Sequence, residues 1–327
     1  MSKESLGIGA TVGDRYRLAR EIATGAMGSV FEAEAADGGR VAVKTLLSTR
    51  GKKDGPERRA RFLREAALSA TLVDPHIVAV LDHGVDAATD TPYLVMPLLR
   101  GEDLARVIER VGAIDPNVCV ALFVQACKGL SVAHLAGVVH RDVKPSNLFL
   151  EADADGSIVV KVADFGLAKV FDDAVQSLTA SGRFMGTPHY VSPEQATNAK
   201  RVDARSDVWS LAMSLYHALA GVPAFAKVRS FMQLVLELTG PKGVRTIQEP
   251  APWIDPRLAR VVHGALVTDV ELRCPSVTEL ALALEMAVGI DVAHAKVTAS
   301  DVRSASRSPI ADRTDLPTSW EELLRFG

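Results

Sequence analysis

Alternating apolar and polar positions mark the first hundred residues. Tyr16-Arg17-Leu18 and Ser29-Val30-Phe31-Glu32-Ala33 flank Gly25 and Gly28, and Val41-Ala42-Val43-Lys44 follows the turn signal Asp37-Gly38-Gly39, so a strand-rich start is predicted. Residues 50–58, with Gly51, Gly55 and Pro56, read as a loop. The period then lengthens: Phe62, Ala66, Ser69 and Val73 recur at helical spacing and predict an amphipathic helix over 59–72. Runs at 77–81 and 93–96 are again strand-like and complete a small sheet. After Gly101 helices take over, the clearest over 103–110 and 117–136. Short strands at 148–150 and 158–162 bracket the turn Asp153-Ala154-Asp155-Gly156, and helical spacing returns from Ser206 to about Ala287. The order is a mostly β lobe with one helix followed by a mostly α lobe.

The two ends read differently. Residues 1–13 are small and Gly-rich and are expected to be flexible; 289–327 are polar, rich in Ser, Thr, Asp and Arg, and read as a flexible tail. A hydrophobic fraction of 48% with 24% charged residues fits a globular protein with an ample core. A formal charge of −3 argues against a nucleic-acid binder. Cys119, Cys127 and Cys274 have no metal-ligand spacing and are expected to be buried thiols in a reducing, cytoplasmic setting. No apolar core of a signal peptide precedes Asp14. The most apolar long segment, 208–225, is broken by Ser210, Ser214, His217, Gly221 and Pro223 and predicts a buried central helix instead of a membrane span.

The candidate chemistry is concentrated in a few strings. Ala23-Thr24-Gly25-Ala26-Met27-Gly28 could bring backbone N–H groups to phosphate oxygens, and a plain tight hairpin explains it equally well. Lys44 ends an apolar strand. His140-Arg141-Asp142-Val143-Lys144-Pro145-Ser146-Asn147, followed after a hairpin by Asp164-Phe165-Gly166, is far more specific. It supplies oxygen ligands for a hard cation, a cation to balance developing charge, and a carboxylate for an acceptor hydroxyl, which are the needs of phosphoryl transfer.

On these residues the chain resembles the eukaryotic-type (Hanks-type) protein serine/threonine kinases, most closely the bacterial members. The resemblance covers residues 14–288 and implies an α+β, bilobal protein kinase fold: an antiparallel β lobe with one main helix over 14–96, a hinge at 97–101, and a larger, mostly α lobe over 102–288. It implies that Lys44 binds the ATP α- and β-phosphates and pairs with Glu65 on the following helix. Asp142 becomes the catalytic aspartate, Lys144 the group facing the γ-phosphate, and Asn147 and Asp164 the ligands of Mg²⁺, with Mn²⁺ as an alternative. Lys144-Pro145 is the form expected of Ser/Thr kinases. The nucleotide is expected against Ile22, Ala23, Thr24, Gly25, Ala26, Met27 and Gly28, between Val30, Ala42 and Phe149, and along Met96, Pro97 and Leu99 at the hinge.

Gly186-Thr187-Pro188-His189-Tyr190-Val191-Ser192-Pro193-Glu194 resembles the end of the activation segment, a platform for a protein substrate. Glu194 is expected to pair with Arg273, Asp207 to begin the central helix, and Thr187 to lie near Asp142. Ala23 departs from the family, where a glycine is usual, and puts nucleotide affinity in question. Arg141 implies control by a phosphate on the activation segment, with Thr179 the leading candidate among Ser177, Thr179 and Ser181. Arg58, Arg59, Arg61 and Arg64 could assist; a solvated helix face explains them too. At the end of the chain Ser319 and Glu322 fit a capping box, with Trp320, Leu323 and Leu324 on one face; docking, self-association and an unstructured end are all compatible with it. The expected partners are ATP and protein substrates with Ser/Thr acceptors. A silent scaffold and a small-molecule kinase of related fold are the competing readings, and a fragment of a larger receptor kinase fits the same residues.

Overall fold

A computed structural model describes residues 6–25, 28–46, 55–165, 188–197, 202–228, 230–240, 243–289, 296–302, 305 and 318–324. The β lobe is a six-stranded antiparallel sheet of β1 (Thr11–Val12), β2 (Tyr16–Gly25), β3 (Gly28–Ala35), β4 (Arg40–Leu46), β5 (Asp82–Asp86) and β6 (Thr91–Pro97), ordered β1-β2-β3-β4-β6-β5. The register pairs Phe31 with Val43 and Val43 with Val95, which line a closed apolar core with Val12, Tyr16, Leu18, Ala33 and Tyr93. Because side chains alternate along a strand, the neighbours of Val43 and Val95 point the other way. Lys44, opposite both Val30 and Leu94, and Ala42, opposite Met96, therefore share the second face. Helix α1 (Gly55–Ala70) packs Phe62 and Ala66 against Leu46 and Leu94 there.

The structure corrects several boundaries. Helix α1 begins at Gly55, inside the expected loop, because Pro56 in a first turn sacrifices no helical hydrogen bond. Val73 does not extend its face; it lies beyond the helix and is 86% exposed. The run 77–81 is not a strand of the sheet: Ile77 makes one isolated parallel bridge to Val162, and the pairing strand is β5, whose Asp-His-Gly-Val-Asp sequence has little β preference of its own. Residues 6–13, part of the end expected to be flexible, supply β1, with Gly9 N–H donating to Leu18 O at 2.7 Å and Val12 fully buried.

The second lobe holds β7 (Gly101–Asp103), β8 (Leu148–Ala152) and β9 (Ile158–Val162) in a small sheet. Its helices are α2 (Leu104–Val111), α3 (Pro116–Leu135), α4 (Pro193–Thr197), α5 (Ala204–Ala220), α6 (Phe231–Thr239), α7 (Pro256–Gly264) and α8 (Val277–Val288). Asp203 caps α5, and Gly221, at φ 72, ends it, so the expected central helix over 208–225 stops short of Pro223. Trp209, Leu211, Met213 and Tyr216 of α5 are fully buried in one core with α3 and α8. Helix α3 has the length and apolarity of a membrane span, but its Val120, Phe123, Cys127 and Leu130 lie inside this core. All three cysteines are free and buried, and burial pushes their thiols up, Cys274 to about 12.

Described parts of the end expected to be a flexible tail lie on the large lobe. Ile158 N–H donates to Val297 O (2.7 Å), Ala305 N–H to Ala113 O (2.9 Å) and Trp320 N–H to Leu272 O (2.7 Å). Val297, Val302, Ala305 and Trp320 are buried. These few apolar residues, spaced widely among polar ones, have no periodicity for sequence reading to detect. Helix α9 (Trp320–Leu324) carries the expected cap: Glu322 N–H donates to Ser319 Oγ (3.1 Å), and the Glu322 carboxylate accepts from Thr318 N–H and Oγ (both 2.7 Å).

Candidate active site

The loop between α3 and β8 is held from below by one buried carboxylate. Asp207, in the first turn of α5 and 0% exposed, accepts from His140 N–H, Arg141 N–H and His134 Nε2, each at 2.8 Å. Three donors offset the cost of burying it. They also hold Arg141 at φ 66, a left-handed backbone that non-glycine residues adopt at a cost of order 1–3 kcal/mol. Gln195 Nε2 fixes the same residue by donating to Arg141 O at 2.7 Å. His140 is fully buried; its Nε2–H donates to Ala163 O (2.7 Å), its Nδ1 accepts from Asp142 N–H (3.2 Å), and its ring lies 4.7 Å from that of Phe165.

This frame presents Asp142, Lys144 and Asn147 together. Lys144 Nζ donates to Asp142 Oδ2 at 2.7 Å, and Asn147 Nδ2 donates to Asp142 O (2.7 Å) and Oδ2 (3.1 Å). The Asn147 amide nitrogen thus faces Asp142, leaving its oxygen available on the other side. Asp164, at φ 67 after β9, accepts from Lys44 Nζ at 2.6 Å. Burial acts to raise the Asp164 pKa, but the Lys44 charge and hydrogen bond, aided by His140 and Lys144, hold it below the usual carboxylate range. Phe165 is buried and its carbonyl lies 3.1 Å from Ser69 Oγ, so α1 and the Asp164 segment are joined.

The structure pairs Lys44 with Asp164. Glu65, expected as the partner of Lys44, is buried on the inner face of α1. Of the expected nucleotide contacts, Ile22, Ala23, Thr24 and Gly25 lie on β2, with Ala23 opposite Val30 and Gly25 opposite Gly28. Ala42 stands beside Met96 and Val41 beside Pro97 on adjacent strands, Leu99 follows β6, and Phe149 lies on β8 opposite Asp103. Ala26, Met27, Gly166, Ser177, Thr179, Ser181, Gly186 and Thr187 lie outside the described residues. Among the described non-glycine residues only Asp14, Asp90, Arg141 and Asp164 have positive φ, so Ala23 takes extended backbone without strain. Arg59 of the basic run pairs with Asp90, and Arg58 and Arg61 also have partners.

Behind the platform, Arg273 uses all five N–H groups: Nη1 and Nη2 reach the Glu194 carboxylate at 2.8 and 3.0 Å, Nη1 also reaches Arg205 O, Nη2 reaches Thr268 O, and Nε reaches Val267 O. Its guanidinium lies 4.9 Å from the Trp209 ring, and Ser206 Oγ donates to Glu194 at 2.6 Å. Tyr190 is anchored by its hydroxyl to His217 Nδ1 (2.7 Å) and by Ser210 Oγ to its carbonyl (2.8 Å). Burial lowers the His217 pKa to about 4, so the neutral ring accepts from Tyr190. Sequence reading missed His134, Gln195 and Ser69 as positioning residues and took Asp207 only as a helix start. A lone acid among Val208, Trp209 and Leu211 was the one available signal for Asp207; nothing marked the others.

Residues 16–281 match the protein kinase domain model. The chain is 39% identical over 255 residues to the serine/threonine-protein kinase PknA of Mycobacterium tuberculosis, covering 77% of this chain and 55% of that one. It is 32% identical over 306 residues to the serine/threonine-protein kinase pkn3 of Myxococcus xanthus, covering 93% and 55%. It thus spans about half the length of these relatives. Among solved structures, the PknI kinase domain of Mycobacterium tuberculosis aligns with a TM-score of 0.68 at 26% identity, over 87% of this chain and all of that one. A structure of Rad53 in complex with AMP-PNP aligns with a TM-score of 0.64 at 25% identity, over 82% and 64%. Because the matched residues span both lobes and the loop between α3 and β8 that carries Asp142, the chain belongs to the protein kinase domain family.

Proposed function

We propose that this chain is a protein serine/threonine kinase that transfers the ATP γ-phosphate to Ser or Thr hydroxyls of proteins, its own activation segment included. The observation that carries this reading is the convergence of Asp142, Lys144 and Asn147 on one side and Asp164 with Lys44 on the other. Asp142 orients the acceptor hydroxyl and takes its proton, while Lys144 balances charge on the transferred group. Lys44 leaves Asp164 for the α- and β-phosphates when ATP enters and is then steadied by Glu65. The donor set fits a hard cation: the Asn147 amide oxygen is available, and Asp164 is held ionised. Asn147 and Asp164 would hold Mg²⁺, which would neutralise charge on the transferred phosphate.

A protein acceptor is favoured over a small molecule by the Tyr190–Glu194 platform and its Arg273 anchor. A silent scaffold is disfavoured because Lys44, Asp142 and Asp164 are all present. We assign a non-specific protein serine/threonine kinase activity, a cytoplasmic kinase domain, and Thr179 as the main autophosphorylation site. The decisive experiment is ATP turnover with a generic protein acceptor for the wild type, Asp142→Asn and Lys44→Met. Losses of about 10²–10⁴-fold are expected for loss of the base; comparable turnover in all three overturns the assignment.

A further inference from the structure

The loop that seats Arg273 runs from Gly264, at the end of α7, to Cys274, whose N–H returns to Gly264 O. It contributes Arg273 itself and two of the carbonyls that hold its guanidinium, those of Val267 and Thr268. Residues 318–324 lie across both ends of this loop. Trp320 N–H donates to Leu272 O at 2.7 Å, one residue before Arg273. The Trp320 ring and Leu323 rest on Gly264, where an added Cβ would come within 3.0 Å of Trp320 and 3.1 Å of Leu323. Trp320 is only 4% exposed, yet its indole N–H has no partner among the described residues. That unpaired donor weakens the hold of an otherwise apolar anchor, and the short helix α9 adds little stability of its own.

We propose that residues 318–324 are an exchangeable internal ligand of the large lobe, and that the Gly264–Leu272 groove is a docking site for a short helix with a Trp-x-x-Leu face. The occupant is this chain's own segment, joined to Ala305 through twelve intervening residues, 306–317. That tether supplies a high effective concentration even for a weak contact. Occupancy closes the outer side of the loop that positions Arg273, and through Glu194 it firms the platform on which a protein acceptor rests. The coupling to acceptor binding rests on the kinase reading above; the docking does not.

The test uses a labelled peptide of residues 315–327 and chains of residues 1–327, read by fluorescence anisotropy. Trp320→Ala empties the groove, so this variant is expected to bind the peptide at least about tenfold more tightly than the wild type, whose own tail competes. Gly264→Ala, a change that ordinarily favours a helix, narrows the groove and is expected to reduce peptide binding to the Trp320→Ala chain. Equal binding to wild type and Trp320→Ala, or binding indifferent to Gly264→Ala, overturns the docking site. For the coupling, Trp320→Ala is expected to raise KM for a protein acceptor several-fold with kcat unchanged, and saturating peptide to restore it. An unchanged KM in a chain that binds the peptide overturns the coupling alone, and peptide binding by a chain without phosphotransfer overturns the kinase reading and leaves the docking site standing.

Discussion

Replacing Arg273 by Met tests how the large lobe holds the Tyr190–Glu194 segment. The methionine fills much of the volume but removes all five donors, leaving the Glu194 carboxylate, itself 9% exposed, with Ser206 as its remaining side-chain partner among the described residues. Breaking a buried ion pair from one side costs about 3–5 kcal/mol, because the surviving charge stays buried. In the native chain the Arg273 contacts outweigh burial and hold Glu194 below the usual carboxylate range. For a domain of this size the loss corresponds to roughly 10 °C in melting temperature. The assay is urea unfolding of wild type, Arg273→Met, Glu194→Gln and the double variant. The double variant is expected to recover part of the loss of Arg273→Met, since a neutral amide no longer needs the cation. Additive effects, or an Arg273→Met chain within about 0.5 kcal/mol of wild type, the range of ordinary surface changes, would refute the reasoning.

Acid should destabilise the large lobe in a defined window. Burial lowers both His217 and His263 from 6.5 to about 4, and His263 Nε2 accepts from Ile247 N–H, which requires the neutral ring. A folded pKa below the unfolded one gives stability that is fully present above pH 6.5 and lost as pH falls toward 4. Each contributes at most about 3 kcal/mol, so urea midpoints should fall across that window and His263→Gln should flatten the slope by about half. In the small lobe, Gly28 has φ 146, and a Cβ there would lie 1.9 Å from Thr45 O; Gly28→Ala is expected to cost about 1–3 kcal/mol and to weaken nucleotide binding in calorimetry. Gly25→Ala is the control, since among the described residues nothing lies within 4 Å of its added Cβ, and equal effects of the two would contradict the steric argument.

The residues proposed to carry the chemistry stood out in the sequence because they occur in short, contiguous strings. Asp142, Lys144 and Asn147 lie within six residues, and a hairpin of fixed length brings Asp164 back beside them. The lobes were legible as well, since a period of two gives way to one of 3.6 near Gly101. Boundaries slipped where long-range partners override local preference: β5 is a strand because β6 offers it a ladder, and the apolar run before it is spent on packing Ile77 into the other core.

What only the tertiary structure decided is how distant groups meet. Asp207 reaches back to His134, His140 and Arg141, Arg273 reaches Glu194 across 79 positions, and Lys44 meets Asp164 across 120. No local pattern encodes such pairings, because burial, and with it the need for a partner, arises only when the chain has closed around the group. The same holds for the end of the chain. A capping box and a tryptophan were visible in the sequence, but whether they rest on anything depended on a glycine at the end of α7 leaving room for an indole ring.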